Sequence, residues 1–84
     1  MADTFQLEVV TPWKQLVNQR AEYAEIPGKD GYMGILPGHA ALLSMLGDGD
    51  LTYRAGGQSS KVHVTGGYVE VRDDHVRVLA DRAE

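Results

Sequence analysis

The sequence predicts an all-β fold, either two packed antiparallel sheets or a flattened barrel, on three observations. Ten glycines among 84 residues fall between short runs of β-branched and aromatic residues, which is the punctuation of strands and turns. Several of those runs alternate apolar and polar residues, the period of two that a half-buried strand requires. The one stretch of good helix formers, Ala40 to Leu46, is shorter than a self-sustaining helix.

Taken in order, Phe5-Gln6-Leu7-Glu8-Val9 alternates, so Phe5, Leu7 and Val9 face a core while Gln6 and Glu8 face solvent; Thr11-Pro12 ends the run. Trp13 to Val17 reads as a second, edge segment, and Glu22 to Ile26 as a half-buried strand stopped by Pro27-Gly28. Pro37-Gly38 marks another turn. The apolar run Ala40 to Leu46 is expected to be a strand buried on both faces, and Asp48-Gly49-Asp50 a tight polar turn. Leu51 to Ala55 and Lys61 to Thr65 alternate around Gly56-Gly57, which signals a hairpin. Tyr68 to Arg72, the turn residues Asp73-Asp74 and His75 to Leu79 then continue an antiparallel meander.

At this length the chain has room for one core, and residues 1–84 are read as a single domain. The net charge of −4 is evenly spread: three Lys or Arg against five Asp or Glu up to residue 42, and five against seven beyond it. That leaves no basic stripe for nucleic acid or anionic lipid. There is no cysteine, which excludes disulfides and thiolate chemistry and suits a reducing compartment. No apolar run approaches the roughly 20 residues of a spanning helix, and Met1 to Thr4 lacks the features of a signal peptide.

Candidate chemistry is sparse. His39, His63 and His75 have none of the spacings of a metal site, and the latter two fall at solvent-facing positions of alternating strands. Asp48-Gly49-Asp50 lacks the remaining oxygen ligands of a calcium loop. Gly28 to Gly34 lacks the spacing of a phosphate loop, and Ser44, Ser59 and Ser60 have no nucleophile-elbow context. The stretch Ile26 to Leu43 stands out instead. Glycines and prolines control its backbone around Tyr32 and Met33, which suits either a contact loop held by a rigid scaffold or a corner that needs those dihedrals.

In this loop, Asp30-Gly31-Tyr32-Met33-Gly34-Ile35-Leu36-Pro37-Gly38-His39-Ala40-Ala41-Leu42-Leu43 resembles a signature of the epsilon subunit of bacterial and chloroplast F-type ATP synthases. That signature reads Gly-x-x-Gly-(Ile/Val)-(Leu/Tyr)-Pro-Gly-His-Ala-Pro-Leu-Leu. Leu7 to Pro12 is similar to the family's opening strand, Thr65 to Val71 to its Ser-Gly-Gly segment, and His75 to Asp81 to its closing Val-Leu-Ala-Asp strand. Three ordered motifs spanning the chain make the match specific.

The resemblance implies a flattened antiparallel β-sandwich of about ten short strands, the N-terminal domain of a non-catalytic central-stalk subunit. Its partners would be the gamma subunit and the c ring, through which proton flow is coupled to ATP synthesis. It implies no catalytic residue, cofactor or metal. The tip Lys29, Asp30, Gly31 and Tyr32 would meet the c ring, and Thr11, His39 and Met45 would face gamma. The subunit would be peripheral, on the cytoplasmic face of a bacterial inner membrane in preference to the stromal side of a thylakoid. Self-association of the isolated domain through the gamma-facing patch stays open.

Two positions depart from the pattern. Tyr32 stands where the tip often carries an acid, leaving charge contact with the ring to Asp30, and Ala41 replaces a proline, which frees one backbone N–H. The family also continues into a helical hairpin that inhibits ATP hydrolysis. Leu79 to Ala83 has the wrong Asp-to-Arg spacing for that region's nucleotide motif and is assigned to the last strand. Two other function classes stand beside this reading. One is a small-ligand or carbohydrate-binding sandwich that stacks its ligand on Trp13, Tyr53 and Tyr68. The other is an enzyme whose metal centre needs His39, His63 and His75 to converge.

Overall fold

The structure is a computed structural model that describes residues 3–84. Those residues form eight strands and no helix: β1 (Phe5–Val10), β2 (Gln15–Ala21), β3 (Tyr23–Gly28), β4 (Gly31–Ile35), β5 (Leu42–Met45), β6 (Asp48–Ala55), β7 (Gln58–Arg72) and β8 (His75–Ala83). The expected all-β class is what is observed. Hydrogen bonding runs β2-β1-β8-β7-β6-β3-β4, and β5 adds to β7 beyond the end of β6.

Period-two alternation becomes burial directly. Phe5, Leu7 and Val9 of β1 and Val76, Val78 and Ala80 of β8 point inward, and each is at most 3% exposed. They meet Ala24, Ile26, Ile35, Leu51, Val64, Val69 and Val71 in one apolar cluster. Burying such side chains supplies most of the driving force for a chain this small. No charged or polar residue is fully buried among the described residues.

The strands number eight, and β7 is continuous. Lys61 to Thr65 and Tyr68 to Arg72, read from sequence as two strands, are one strand bent at Gly66 and Gly67, whose φ angles are 65° and 113°. Before the bend β7 pairs with β6, from Ala55↔Gln58 to Asp48↔Thr65; after it, Leu42↔Val71 to Met45↔Tyr68 pair it with β5. Along its other edge it pairs with β8 over most of its length. The bend is how a single sheet folds over on its own core. A side chain at Gly67 would run into the carbonyl of Leu79 and lie 3.0 Å from the Cα of Ala80, so the bend needs glycine there.

Four expectations are corrected. Asp48-Gly49-Asp50 opens β6 instead of forming a turn, because its backbone is held by Thr65, Val64 and His63 of β7. The Ala40 to Leu46 run does contain a strand, β5, but it is not buried on both faces: Leu43 and Met45 are 71% and 46% exposed. Pairing is not wholly antiparallel either, since β1 and β8 run parallel from Gln6↔His75 to Val10↔Leu79. Pro27-Gly28 completes β3, with the reversal at Lys29-Asp30. The hairpins at Gly56-Gly57 and Asp73-Asp74 lie where the sequence places them.

Candidate docking surface

The outer face of β5, β7, β8 and β1 carries apolar side chains on the wrong phase for the core. Cross-strand partners share a face, so Met45↔Tyr68, Tyr68↔Leu79 and Leu79↔Val10 make one row across four strands. Tyr68 and Leu79 are 52% and 44% exposed, and Val10 is half-buried. Two residues along the strands, the next row is Leu43, Glu70, Arg77 and Glu8. An apolar row bordered by charge is the arrangement of a protein-docking surface with a polar rim.

Glu8 organises the charged end of that rim. Its Oε1 lies 2.5 Å from Nε2 of His75 and 3.8 Å from Nε of Arg77, and its Oε2 accepts from the Gln15 amide at 3.4 Å. These contacts tie β1, β2 and β8 together beside the apolar row.

The second candidate surface is the β3–β4 turn. Lys29, Asp30 and Gly31 are exposed, and Gly31 has a φ of 135°. Tyr32 leans over Gly49, and its hydroxyl accepts a hydrogen bond from the Asp50 N–H at 3.2 Å. Asp50 in turn accepts from Nδ1 of His63 at 2.9 Å, with Nζ of Lys61 at 3.8 Å. The His63 hydrogen bond holds the Asp50 carboxyl below its ordinary pKa, opposed by partial desolvation and helped by the charge of Lys61. The tip tyrosine is therefore tied to β6.

The sequence-predicted residues fall at three places. Met45 lies in the apolar row. Thr11 borders it, lining a concavity with Val10, Pro12, Tyr68 and Leu79, but its hydroxyl is occupied in accepting from the N–H groups of Trp13 and Lys14, each at 3.2 Å. His39 lies past the other end of β5. Its Nδ1 is 2.7 Å from the Ala40 carbonyl, which can only accept, so that nitrogen carries the proton. The same loop is pinned by the Gly38 N–H donating to Asp74 at 2.6 Å. Tyr68, Leu79 and Val10 were not singled out from sequence for this surface. Their signal was available, since each is a large apolar residue on the outward phase of a strand whose other phase is core.

The alternative sites do not assemble. His39, His63 and His75 engage Ala40, Asp50 and Glu8 separately, and no group of three His, Cys, Asp or Glu among the described residues could hold a metal. Trp13 lines a groove with Lys14, His63 and Arg82, Tyr68 lines a different one, and Tyr53 packs on the core. The three aromatics form no common platform. Among the described residues no helix is long and apolar enough to cross a membrane.

Residues 4–84 match the family described as the β-sandwich domain of the ATP synthase delta/epsilon chain. The whole chain is 52% identical to the ATP synthase epsilon chain of Solibacter usitatus and 48% identical to that of Koribacter versatilis, covering 63% and 59% of those proteins. It thus spans about three fifths of the length of these relatives. In fold it is similar to a chain in the cryo-EM structure of the Euglena gracilis mitochondrial ATP synthase, with a TM-score of 0.91 at 23% identity over 100% of this chain and 54% of that one. A chain in the Tetrahymena thermophila mitochondrial ATP synthase central stalk and c ring aligns with 94% of this chain and 64% of its own, at a TM-score of 0.79 and 21% identity. The sequence match covers all but the first three residues, and on it the chain belongs to the ATP synthase delta/epsilon β-sandwich family.

Proposed function

We propose that the chain is the docking domain of a central-stalk epsilon subunit, working by shape and packing and contributing no catalytic group. In this reading the row Met45, Tyr68, Leu79 and Val10, with Leu43 and Thr11 at its border, seats on the gamma subunit. The turn Lys29, Asp30, Gly31 and Tyr32 meets the polar loops of the c ring, and His39 marks the far limit of the gamma face. The domain sits peripherally at the membrane through these partners and helps couple proton flow to ATP synthesis. The carrying observation is the apolar row across four strands, which a free-standing domain has no reason to expose.

A preformed, strand-built face loses little conformational entropy on docking, which favours rigid seating over induced fit. Titration calorimetry of the chain with purified gamma subunit tests this. Saturable one-to-one binding, weakened about tenfold or more by Met45→Asp and unchanged by Tyr32→Ala, is expected. Absence of binding by the folded chain would overturn the gamma assignment.

A further inference from the structure

On the outer face of β5, β7, β8 and β1 the apolar row and the Glu70 and Arg77 pair are self-complementary, and we propose that in the free protein a second copy of this chain covers them in a symmetric dimer. A two-fold axis lying between β7 and β8, parallel to them, would carry each residue of β7 onto its cross-strand partner on β8 of the other copy. Within one chain Tyr68 faces Leu79 and Glu70 faces Arg77. Across the axis Tyr68 therefore meets Leu79 of the second copy, Met45 meets Val10, and Glu70 meets Arg77, each contact made twice.

That operation joins apolar to apolar along the row and Glu70 to Arg77 in the row beside it, with Leu43 falling opposite Glu8 at that row's ends. Among the described residues Glu70 has no ion-pair partner, while Arg77 has only a 3.8 Å approach to Glu8, so both charges are available across the axis. Sheets packing face to face keep their strands within roughly 30° of each other, and pairs this close to the axis tolerate that angle. Exposed charge pairs add little affinity, so Glu70 and Arg77 fix the register while the apolar row supplies the attraction. Four strands about 4.8 Å apart and these two rows of side chains about 6.8 Å apart cover roughly 260 Å² on each copy. Because this is well below the roughly 800 Å² per partner of a standard interface, the contact is weak and reversible, suited to shielding the row until another partner takes it.

The test is sedimentation velocity and light scattering on the intact chain from about 5 µM to about 500 µM, concentrations that bracket a weak dimer. The weight-average mass is expected to rise from one chain toward two across this range. Glu70→Arg and Arg77→Glu should each weaken association about tenfold or more. An equimolar mixture of the two variants should recover it, because both contacts across the axis then join opposite charges. If circular dichroism shows a reversal to be unfolded, Glu70→Gln and Arg77→Gln each replace it, with weaker self-association expected from either. A folded wild-type chain that stays monomeric at 500 µM overturns the proposal, as does a dimer indifferent to these substitutions or a mixture of folded reversals that stays monomeric. Mass alone reads the result, so its failure leaves the gamma assignment standing, and failure of gamma binding leaves the dimer standing.

Discussion

The backbone N–H of Lys29 donates to the carbonyl of Met45 at 3.0 Å, which joins the tip turn to the end of the apolar row. The two surfaces assigned to two partners are thus one rigid piece at their boundary. The adjoining bond, from the Gly47 N–H to the Pro27 carbonyl at 2.9 Å, closes the same joint.

A side chain at Gly47 would lie 2.6 Å from the carbonyl oxygen of Gly28, and that neighbour is backbone that cannot swing aside. Gly47→Val is expected to destabilise the domain by about 2 kcal/mol through overpacking. Thermal unfolding should show a lowered Tm, and hydrogen exchange should show the Lys29 amide losing protection first.

Gly67→Ala is expected to be more severe. It combines a φ of 113° with the clash against Leu79 and Ala80 at the bend of β7, so a loss of about 3 kcal/mol or more should follow. Urea unfolding monitored by circular dichroism measures it. A variant as stable as the parent would show that β7 can bend without that backbone geometry.

The two aspartates of the β7–β8 turn should respond in opposite directions. Both have positive φ, 51° at Asp73 and 58° at Asp74, but Asp74 also accepts the Gly38 N–H at 2.6 Å. Asp73 has only an exposed 4.0 Å approach to Arg72, an interaction of small worth. Asp73→Gly should therefore stabilise by roughly 0.5 kcal/mol through relief of strain. Asp74→Gly should destabilise by about 1 kcal/mol, since the lost bond to the His39 loop outweighs the relief. Chemical denaturation of the two variants checks the contrast in sign.

Asp50 sets a pH dependence. Its folded-state pKa is lowered by the His63 hydrogen bond, against desolvation and with help from the Lys61 charge. A depressed carboxyl pKa adds stability that is fully present above the unfolded value of about 3.9 and is lost as pH falls through the folded value. His63→Ala should raise the Asp50 pKa toward the ordinary range, read by NMR titration of its carboxyl carbon. No change would show that the contact is not populated in solution.

Much of this fold was legible because local alternation maps directly onto burial, as at Phe5, Leu7 and Val9, and because two-residue turns declare themselves at Gly56-Gly57 and Asp73-Asp74. The parallel union of β1 with β8 was not, since pairing the first strand with the last is a long-range choice with no local mark. Nor was the outward face of β5. Leucine and methionine in a short apolar run look the same whether they fill a core or await a partner, and only the register against Tyr68 and Glu70 separates the two. Tyr68 and Leu79 were the readable part of the surface, being apolar residues on the outward phase of otherwise regular strands.

The central claim is that this chain docks through the outer face of β5, β7 and β8. Its most direct test is an amide NMR footprint of the isotope-labelled chain on addition of unlabelled gamma subunit. Broadening or shifts concentrated at Leu43, Met45, Tyr68 and Leu79, with the Trp13 to Lys14 groove unaffected, is the predicted result. A footprint on Trp13, His63 and Arg82 that leaves the apolar row unchanged would contradict it.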